Sequence, residues 1–208
     1  MNIEDAHKFY DSVWRQDFDA AGFAYLDIPN IDSRTLRAEM VELQDRLSGF
    51  AVARGRSRLF VRSAGRFNQQ KTTKYHLDAA PPESILLLGY EPSRIISEVR
   101  IADYSCAAYD LNMPPELFMD RHNPMFSPGE ELLARYSTTL TPPAEGSSRL
   151  IVINNSSHGF GVLHQANIKH PNPAERRIIN SMMVTTKGEE HSKEGLHPFL
   201  MTEEISDS

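Results

Sequence analysis

A histidine and an aspartate stand two residues apart in the stretch Tyr75-His76-Leu77-Asp78. On a β-strand, the two-residue period places the side chains of His76 and Asp78 on one face, where an imidazole nitrogen and a carboxylate oxygen can bind the same metal ion. The triplet alone is a weak signal, because a surface histidine beside a turn-forming aspartate gives the same pattern. It predicts a metal site only if further ligands follow later in the chain.

A further ligand and a candidate anion-binding residue occur in the last third of the chain. His164 lies in an apolar stretch that predicts a strand, and Arg176 and Arg177 begin the next predicted strand. On that strand Arg177 shares a face with Ser181 and Arg176 lies on the other, so one arginine must point inward. A buried guanidinium is costly unless a carboxylate meets it, and either an acidic side chain or a dicarboxylate ligand would satisfy it.

The elements that must position these residues are mostly strands. Apolar periodicity predicts a helix at 4–20, a strand at 23–29 and a helix at 33–49. Apolar runs and alternation then predict a strand around 59–61 and strands at 84–90, 95–105, 148–154, 161–168 and 176–186. Two short helices, at 116–120 and 130–136, are expected outside the sheets. This order indicates a barrel or sandwich flanked by helices.

Length and composition favour one domain. The chain has 208 residues, of which 40% are hydrophobic, so it can bury a substantial core but not two independent ones. We expect a single domain over 1–187, with 1–50 as its helical N-terminal support. Residues 188–208 form a polar tail that is expected to be mobile or loosely docked, with one apolar cluster at Leu196, Phe199 and Leu200.

Charge and cysteine content exclude several classes of function. A net charge of -6 argues against a nucleic-acid-binding protein. The single cysteine, Cys106, fits a reducing compartment, and the acidic start Met1–Asp5 differs from a signal peptide. No apolar run is long enough for a membrane helix, so we expect a cytoplasmic protein without a membrane partner. The oligomeric state is left open.

One stretch departs from the acidic average. Residues 54–74 contain seven basic residues and no acidic one: Arg54, Arg56, Arg58, Arg62, Arg66, Lys71 and Lys74. The simplest interpretation is a solvated strand face. The functional alternative is a positive rim that attracts a small carboxylate or phosphate substrate to a nearby cleft.

With these residues the chain resembles the iron(II)- and 2-oxoglutarate-dependent oxygenases. Their pattern is His-x-Asp, a distal His well downstream, and an Arg shortly after it, often followed by Ser or Asn. Here the pattern reads His76-x-Asp78, His164, and Arg177 or Arg176 with Ser181. The resemblance implies a double-stranded β-helix, or jelly-roll, core of the cupin type behind the N-terminal helices.

The resemblance also implies roles for the residues. His76, Asp78 and His164 would hold Fe(II) on one triangular face, which leaves three positions for 2-oxoglutarate and O2. An inward arginine with the Ser181 hydroxyl would bind the distal carboxylate of 2-oxoglutarate. Asn68 and Tyr75 stand where members of the superfamily often place a further hydrogen bond to the cosubstrate.

Two assignments stay open at this point. His158, in Ser157-His158-Gly159, has a context that belongs to the metal ligand in other branches of the superfamily, although the usual His-to-Arg spacing favours His164. Arg177 is preferred over Arg176 because it shares a face with Ser181.

The leading functional hypothesis is a dioxygenase that hydroxylates a small, anionic molecule or a peptidyl side chain and releases succinate and CO2. One alternative is a cupin-type metal enzyme that does not use 2-oxoglutarate. The other is a non-catalytic jelly roll that binds a ligand through its basic stretch.

Overall fold

The computed structural model describes residues 3–79, 81–186 and 196–207, which contain six α-helices and nine strands. The helices are α1 (Ile3–Val13), α2 (Ser33–Ala53), α3 (Tyr104–Asp110), α4 (Pro115–Arg121), α5 (Ser127–Leu133) and α6 (His197–Met201). The strands are β1 (Phe23–Pro29), β2 (Phe60–Asn68), β3 (Ser84–Tyr90), β4 (Ser97–Ala102), β5 (Ser137–Leu140), β6 (Ser147–Asn154), β7 (Leu163–Ile168), β8 (Ile178–Thr185) and β9 (Ser206–Asp207).

The strands form two sheets that pack face to face. The large sheet has the order β1-β6-β3-β8-β2-β9, and the small sheet has the order β5-β4-β7. All pairings are antiparallel except that of β9, which runs parallel to β2. The sheets share an apolar core that includes Leu88 and Ile153 from the large sheet and Val99 and Ile101 from the small one. The predicted fold class, mainly β with helices flanking a jelly-roll core, is confirmed.

A second core fills the space between the large sheet and the N-terminal helices. Helix α1 buries Ala6, Phe9, Tyr10 and Val13 at helical spacing. Asp32 caps the start of α2, because its carboxylate accepts a hydrogen bond from the Thr35 amide. Because helices cover one face of the large sheet and the small sheet covers the other, β3 and β6 are buried on both faces. Their continuous apolar runs follow from this position.

Two predicted elements are shorter in the structure because arginine and aspartate side chains end them. The first helix stops at Val13, since the buried Arg15 guanidinium holds the following loop through the Ala20 and Phe160 carbonyls. The strand predicted to reach residue 105 ends at Ala102, because Asp103 caps helix α3 by accepting a hydrogen bond from the Cys106 amide. Asp103 also forms an ion pair with Arg15 at 2.7 Å. The residues that end the two predicted elements are therefore in contact with each other.

The end of the chain packs against the large sheet. Leu196 and Phe199 join the core beneath the helices, and Arg66 donates a hydrogen bond to the Thr202 carbonyl. Strand β9 then extends the sheet beside β2. The first part of the tail that the sequence predicts as mobile, up to residue 195, lies outside the described residues. In the parts of the chain that are described, no helix has both the length and the apolar character needed to cross a bilayer.

Candidate metal centre

His76 and His164 face each other across an isolated antiparallel bridge between the loop after β2 and strand β7. Each backbone amide donates to the carbonyl of the other residue at 3.1 Å. Residues paired in this way present their side chains on the same face, and the two imidazole centroids lie 4.2 Å apart. Backbone pairing alone therefore brings together two histidines that are far apart in sequence.

Asp78 completes the cluster. Its Oδ1 lies 3.5 Å from Nε2 of His76 and 3.9 Å from Nε2 of His164. Within the described residues, these three side chains form the one group whose ligand atoms all lie within 4.8 Å of one another. Ligands on adjacent corners of an octahedron with bonds of about 2.1 Å stand ~3 Å apart, so small side-chain rotations would close the group around one ion. Two imidazoles and one carboxylate form the facial set that suits Fe(II).

The protonation states fit a metal ligand set. Nδ1 of His76 lies 2.7 Å from the Lys74 carbonyl, which fixes a proton on Nδ1 and leaves Nε2, the nitrogen that faces Asp78, as the candidate ligand atom. Burial, reinforced by His76, lowers the pKa of His164 to about 4, so this ring is neutral at pH 7 and can donate a lone pair. Nδ1 of His164 is buried and has no hydrogen-bond partner among the described residues.

Asp78 and His76 shift the pKa of each other in opposite directions. Burial disfavours a charge on Asp78, but the hydrogen bond to His76 and the two imidazoles outweigh it and lower the pKa of Asp78. Burial likewise opposes a charge on His76, but the contacts with Asp78 and the Lys74 carbonyl raise its pKa above 6.5. A proton on Nε2 of His76 is therefore held more tightly than on a free imidazole, and a metal ion has to compete with it.

Asn155 holds Asp78 in place through the backbone. Its Oδ1 accepts from the Asp78 amide at 2.9 Å, and its Nδ2 donates to the Asp78 carbonyl at 2.9 Å. Nδ2 also donates to the Ser84 hydroxyl at 3.1 Å, and Ser84 in turn donates to the Asn155 carbonyl. The Asn155 side chain is 2% exposed, so the loop that carries Asp78 is fixed to the end of β6 by a buried amide.

We expect Asn155→Ala to weaken metal binding by about tenfold to a hundredfold, because residues that orient metal ligands typically carry such effects. The backbone amide of Asp78 would lose its acceptor and the loop would move. Calorimetric titration with Co(II) measures the change. Ser157→Ala, on the loop that carries Asn155, is the matched control and should bind Co(II) as the unmodified protein does, because the Ser157 hydroxyl contacts His158 and not the Asp78 loop. Unchanged affinity in Asn155→Ala would contradict this role.

A cleft of about 350 Å³ opens beside the three side chains, between the two sheets. One side carries the metal-site residues and Ala166, and the other is formed by residues of β2, β3 and β8. Its lining consists of Ser63, Phe67, Gln69, His76, Asp78, Ala79, Leu88, Tyr90, His164, Ala166, Ile179, Ser181 and Met183. The cleft therefore exposes the candidate metal ligands to a small ligand.

Arg177 lines a neighbouring pocket and not this cleft, and it contacts two of the residues that line the cleft. Its Nη1 donates to Gln69 Oε1 at 2.8 Å, and its guanidinium carbon lies 4.8 Å from the centroid of the Tyr90 ring. Gln69 and Tyr90 both line the cleft. Nε donates to the Ser97 hydroxyl at 2.8 Å, whereas Nη2 is buried without a hydrogen-bond partner among the described residues.

The arginine also lacks a counter-ion. The side chains described in the structure include no carboxylate within ion-pair distance of Arg177, which is 2% exposed. Burial lowers the pKa of Arg177. A cation of this kind is unstable in a protein interior unless an anion joins it. The neighbouring Arg176 is exposed, and its backbone carbonyl accepts a hydrogen bond from Ser93.

The other residues singled out from the sequence lie in different places. Ser181 lines the cleft. Asn68 accepts a hydrogen bond from the Arg177 amide, so it contacts the backbone of the arginine. Tyr75 is buried on the opposite side of the loop, where its hydroxyl donates to Ser137. His158 is exposed and lies 3.4 Å from Glu116, outside the group formed by the three metal-site residues.

The basic stretch does not line the cleft. Arg54 pairs with Asp11, Arg66 with Glu91 and Lys74 with Glu130. Arg56 lies over the Trp14 ring on the helical side of the molecule. In the described residues, none of the seven basic residues belongs to the cleft lining.

Three residues around the site had no assigned role in the sequence. Asn155 stands between β6 and β7 in a polar loop, and nothing in its local sequence indicates a contact with Asp78. Gln69 and Tyr90 are neighbours of Arg177 only through sheet pairing and loop packing. Such contacts depend on strand order, which single-sequence patterns do not give.

No protein-family model and no curated protein matches the chain. Among solved structures, it is similar to the crystal structure of the non-heme alpha ketoglutarate dependent epimerase SnoN from nogalamycin biosynthesis. The identity is 14% and the TM-score 0.43, over 88% of this chain and 84% of that one. Because both values are low, no residue role is transferred from that enzyme.

Proposed function

We propose that this protein is an iron(II)- and 2-oxoglutarate-dependent oxygenase. His76, Asp78 and His164 would hold Fe(II), and Arg177 would bind the distal carboxylate of 2-oxoglutarate. The observation that carries the proposal is the buried guanidinium of Arg177, which has a free Nη2 and no counter-ion among the described residues, beside a cleft with a His-Asp-His cluster. A cupin-type metal enzyme needs the cluster but has no use for such an arginine.

A dicarboxylate satisfies both ends of this arrangement. One carboxylate can meet the guanidinium, where a charge-assisted hydrogen bond to Nη2 would supply the partner that the protein lacks. The Ser181 hydroxyl, in the same cleft, can donate a second hydrogen bond. The opposite, 2-oxo acid end then lies toward the histidines, where it can chelate a metal ion.

With Fe(II), 2-oxoglutarate and O2 bound, one oxygen atom of O2 would be consumed in the oxidative decarboxylation of 2-oxoglutarate to succinate and CO2, and the other would oxidise a second substrate. The residues of the chain orient and shield these groups. Lys74 and Asn155 fix the orientation of His76 and the position of Asp78. Leu88, Ile179 and Met183 give the cleft an apolar wall that limits access of water. We propose hydroxylation of a small molecule or a peptidyl side chain as the reaction.

An anaerobic titration tests the proposal. Adding Fe(II) and 2-oxoglutarate together should produce the weak visible metal-to-ligand charge-transfer band of the chelate, and adding either alone should not. Metal binding without the band would favour the cupin-type alternative. Absence of both metal and 2-oxoglutarate binding would favour the non-catalytic jelly roll. Succinate release in air, across a panel of candidate substrates, then reports turnover.

Metal affinity should depend on pH through a single proton. The pKa of His76 is raised above 6.5, whereas that of His164 is lowered to about 4. As pH falls through the raised pKa of His76, the metal ion must displace one proton, so affinity should fall by about tenfold per pH unit. His164 adds a second proton only near its own lower pKa. Co(II) titrations between pH 5 and pH 8 measure the slope, and a two-proton slope across that range would contradict the assignment.

A further inference from the structure

The large-sheet wall of the cleft is a grid built from three neighbouring strands. Strand pairing places Ser63, Gly65 and Phe67 of β2 opposite Met183, Ser181 and Ile179 of β8. The same β8 residues are paired with Leu86, Leu88 and Tyr90 of β3. Tyr90, in the row of Phe67, contacts Arg177, so this row marks the end at which the distal carboxylate of 2-oxoglutarate would bind.

The grid carries no charged side chain. Apart from Tyr90 and the three metal-site residues, the described lining of the cleft contains no ionisable group. The basic stretch is engaged elsewhere, and the proposed cosubstrate would neutralise Arg177. A charged group of a second substrate would therefore lose its hydration without gaining a counter-ion, which is costly. This is opposite to the anionic substrate suggested by the basic stretch in the sequence.

Phe67 presents an aromatic ring to the remaining space. The ring lies over Gly65, so closely that a methyl group at Gly65 would come within 3.0 Å of the Phe67 Cζ atom. A glycine inside a strand often marks such a close approach. Phe67 is 37% exposed although it lines the cleft, so part of its ring is available for contact. An exposed ring of this kind packs well against another ring in a stacked or edge-to-face arrangement.

The size of the cleft limits the second substrate. Ligand sites range from about 300 to 1,000 Å³, and a cleft of about 350 Å³ is at the small end. The proposed cosubstrate would occupy part of it. The space that is left suits one or two rings better than a polypeptide segment.

On the basis of the function proposed above, we propose that the second substrate is an uncharged small molecule with a ring that packs against Phe67. This assigns a substrate class to the same site and makes Phe67 its specificity-determining residue. Gly65 serves this role by leaving room for the Phe67 ring.

A matched pair of probes tests the proposal. 2-Naphthol and 2-naphthoate share one ring system and differ in charge at pH 7. Protein loaded with Co(II), with and without 2-oxoglutarate, is mixed with each probe, and paramagnetic relaxation of the probe protons reports binding near the metal. With Co(II) and 2-oxoglutarate bound, the unmodified protein should bind 2-naphthol about tenfold or more tightly than 2-naphthoate, because the cosubstrate then occupies Arg177 and the metal ion and the described lining has no other counter-ion for the carboxylate.

Substitutions then test the ring contact. Phe67→Ala should weaken 2-naphthol binding by about tenfold, since a ring pair contributes beyond its buried area. Phe67→Tyr should retain binding, and Phe126→Ala, which removes a phenylalanine that is 68% exposed outside the cleft, should have no effect. Gly65→Ala should weaken binding by displacing the ring of Phe67, and it tests the same contact if Phe67→Ala folds poorly.

Several outcomes would overturn the proposal. They are equal or tighter binding of 2-naphthoate, no relaxation of 2-naphthol by Co(II), and unchanged binding in both Phe67→Ala and Gly65→Ala. If the unmodified protein does not form the 2-oxoglutarate chelate, that is a separate result. It would count against the proposed oxygenase function, whereas the effect of Phe67→Ala on 2-naphthol binding to the protein with Co(II) alone would still decide the role of Phe67.

Discussion

Arg177→Met should reduce the affinity for 2-oxoglutarate by about a hundredfold while leaving the fold at least as stable as before. Losing the charge-assisted hydrogen bond from Nη2 to a carboxylate, together with the positive charge, costs up to about 3 kcal/mol, which corresponds to that factor. The stability expectation follows from burial: the guanidinium is 2% exposed and has no carboxylate partner among the described residues. Replacing a buried charge with an apolar side chain of similar length is often neutral or stabilising.

Both quantities can be measured on the same protein samples. Anaerobic titration of the visible chelate band gives the 2-oxoglutarate affinity, and chemical unfolding of the metal-free protein gives the stability. Arg177→Lys keeps the positive charge but removes the planar fork, so it should recover only part of the affinity. Arg176→Met is the matched control on an exposed neighbour and should change neither quantity.

A result in which Arg177→Met binds 2-oxoglutarate normally but unfolds more easily would give the arginine a structural role. Its contacts with Gln69 and Ser97 would then be the reason for its burial. Normal metal binding in that variant would leave the cupin-type alternative as the better hypothesis.

The sequence was most informative where local pattern and buried position coincide. Strands β3 and β6 were predicted at their correct places, because continuous apolar runs require burial on both faces. The boundaries around Arg15 and Asp103 could not be predicted, since they depend on an ion pair between distant parts of the chain. The short strand β5 was missed, because its residues Ser137–Leu140 are mostly polar and carry little periodic signal.

At the site, sequence spacing predicted the metal-binding residues, but it did not predict the backbone and side-chain contacts that hold them in position. The grouping of His76 with His164 depends on a backbone bridge between segments far apart in the chain. The clamp of Asn155 on Asp78 depends on the same long-range packing. The prediction of a positive rim beside the cleft has a related weakness. The sequence does not show which basic residues are paired, and Arg66, for example, forms an ion pair with Glu91 in the fold.

His164→Ala should weaken metal binding by more than about a hundredfold, whereas His158→Ala should leave it unchanged. These two histidines are the competing distal ligands that the sequence left open. His164 is buried beside Asp78 and His76, while His158 is exposed next to Glu116. Structural zinc sites in zinc-finger peptides bind their ion with about 10 to 16 kcal/mol over four ligands. By this scale, losing one of the three ligands here should cost about 3 kcal/mol, more than a hundredfold.

Thermal unfolding with and without Co(II) provides an independent readout. A metal ion at a hundred times its dissociation constant stabilises the folded state by about 2.7 kcal/mol, which shifts the unfolding midpoint by several degrees. The unmodified protein and His158→Ala should show this shift, and His164→Ala and Asp78→Ala should not. If His158→Ala loses the shift and His164→Ala keeps it, the metal lies at the exposed histidine. The His-Asp-His cluster would then not be the metal site, and the role of Arg177 would have to be reconsidered with it.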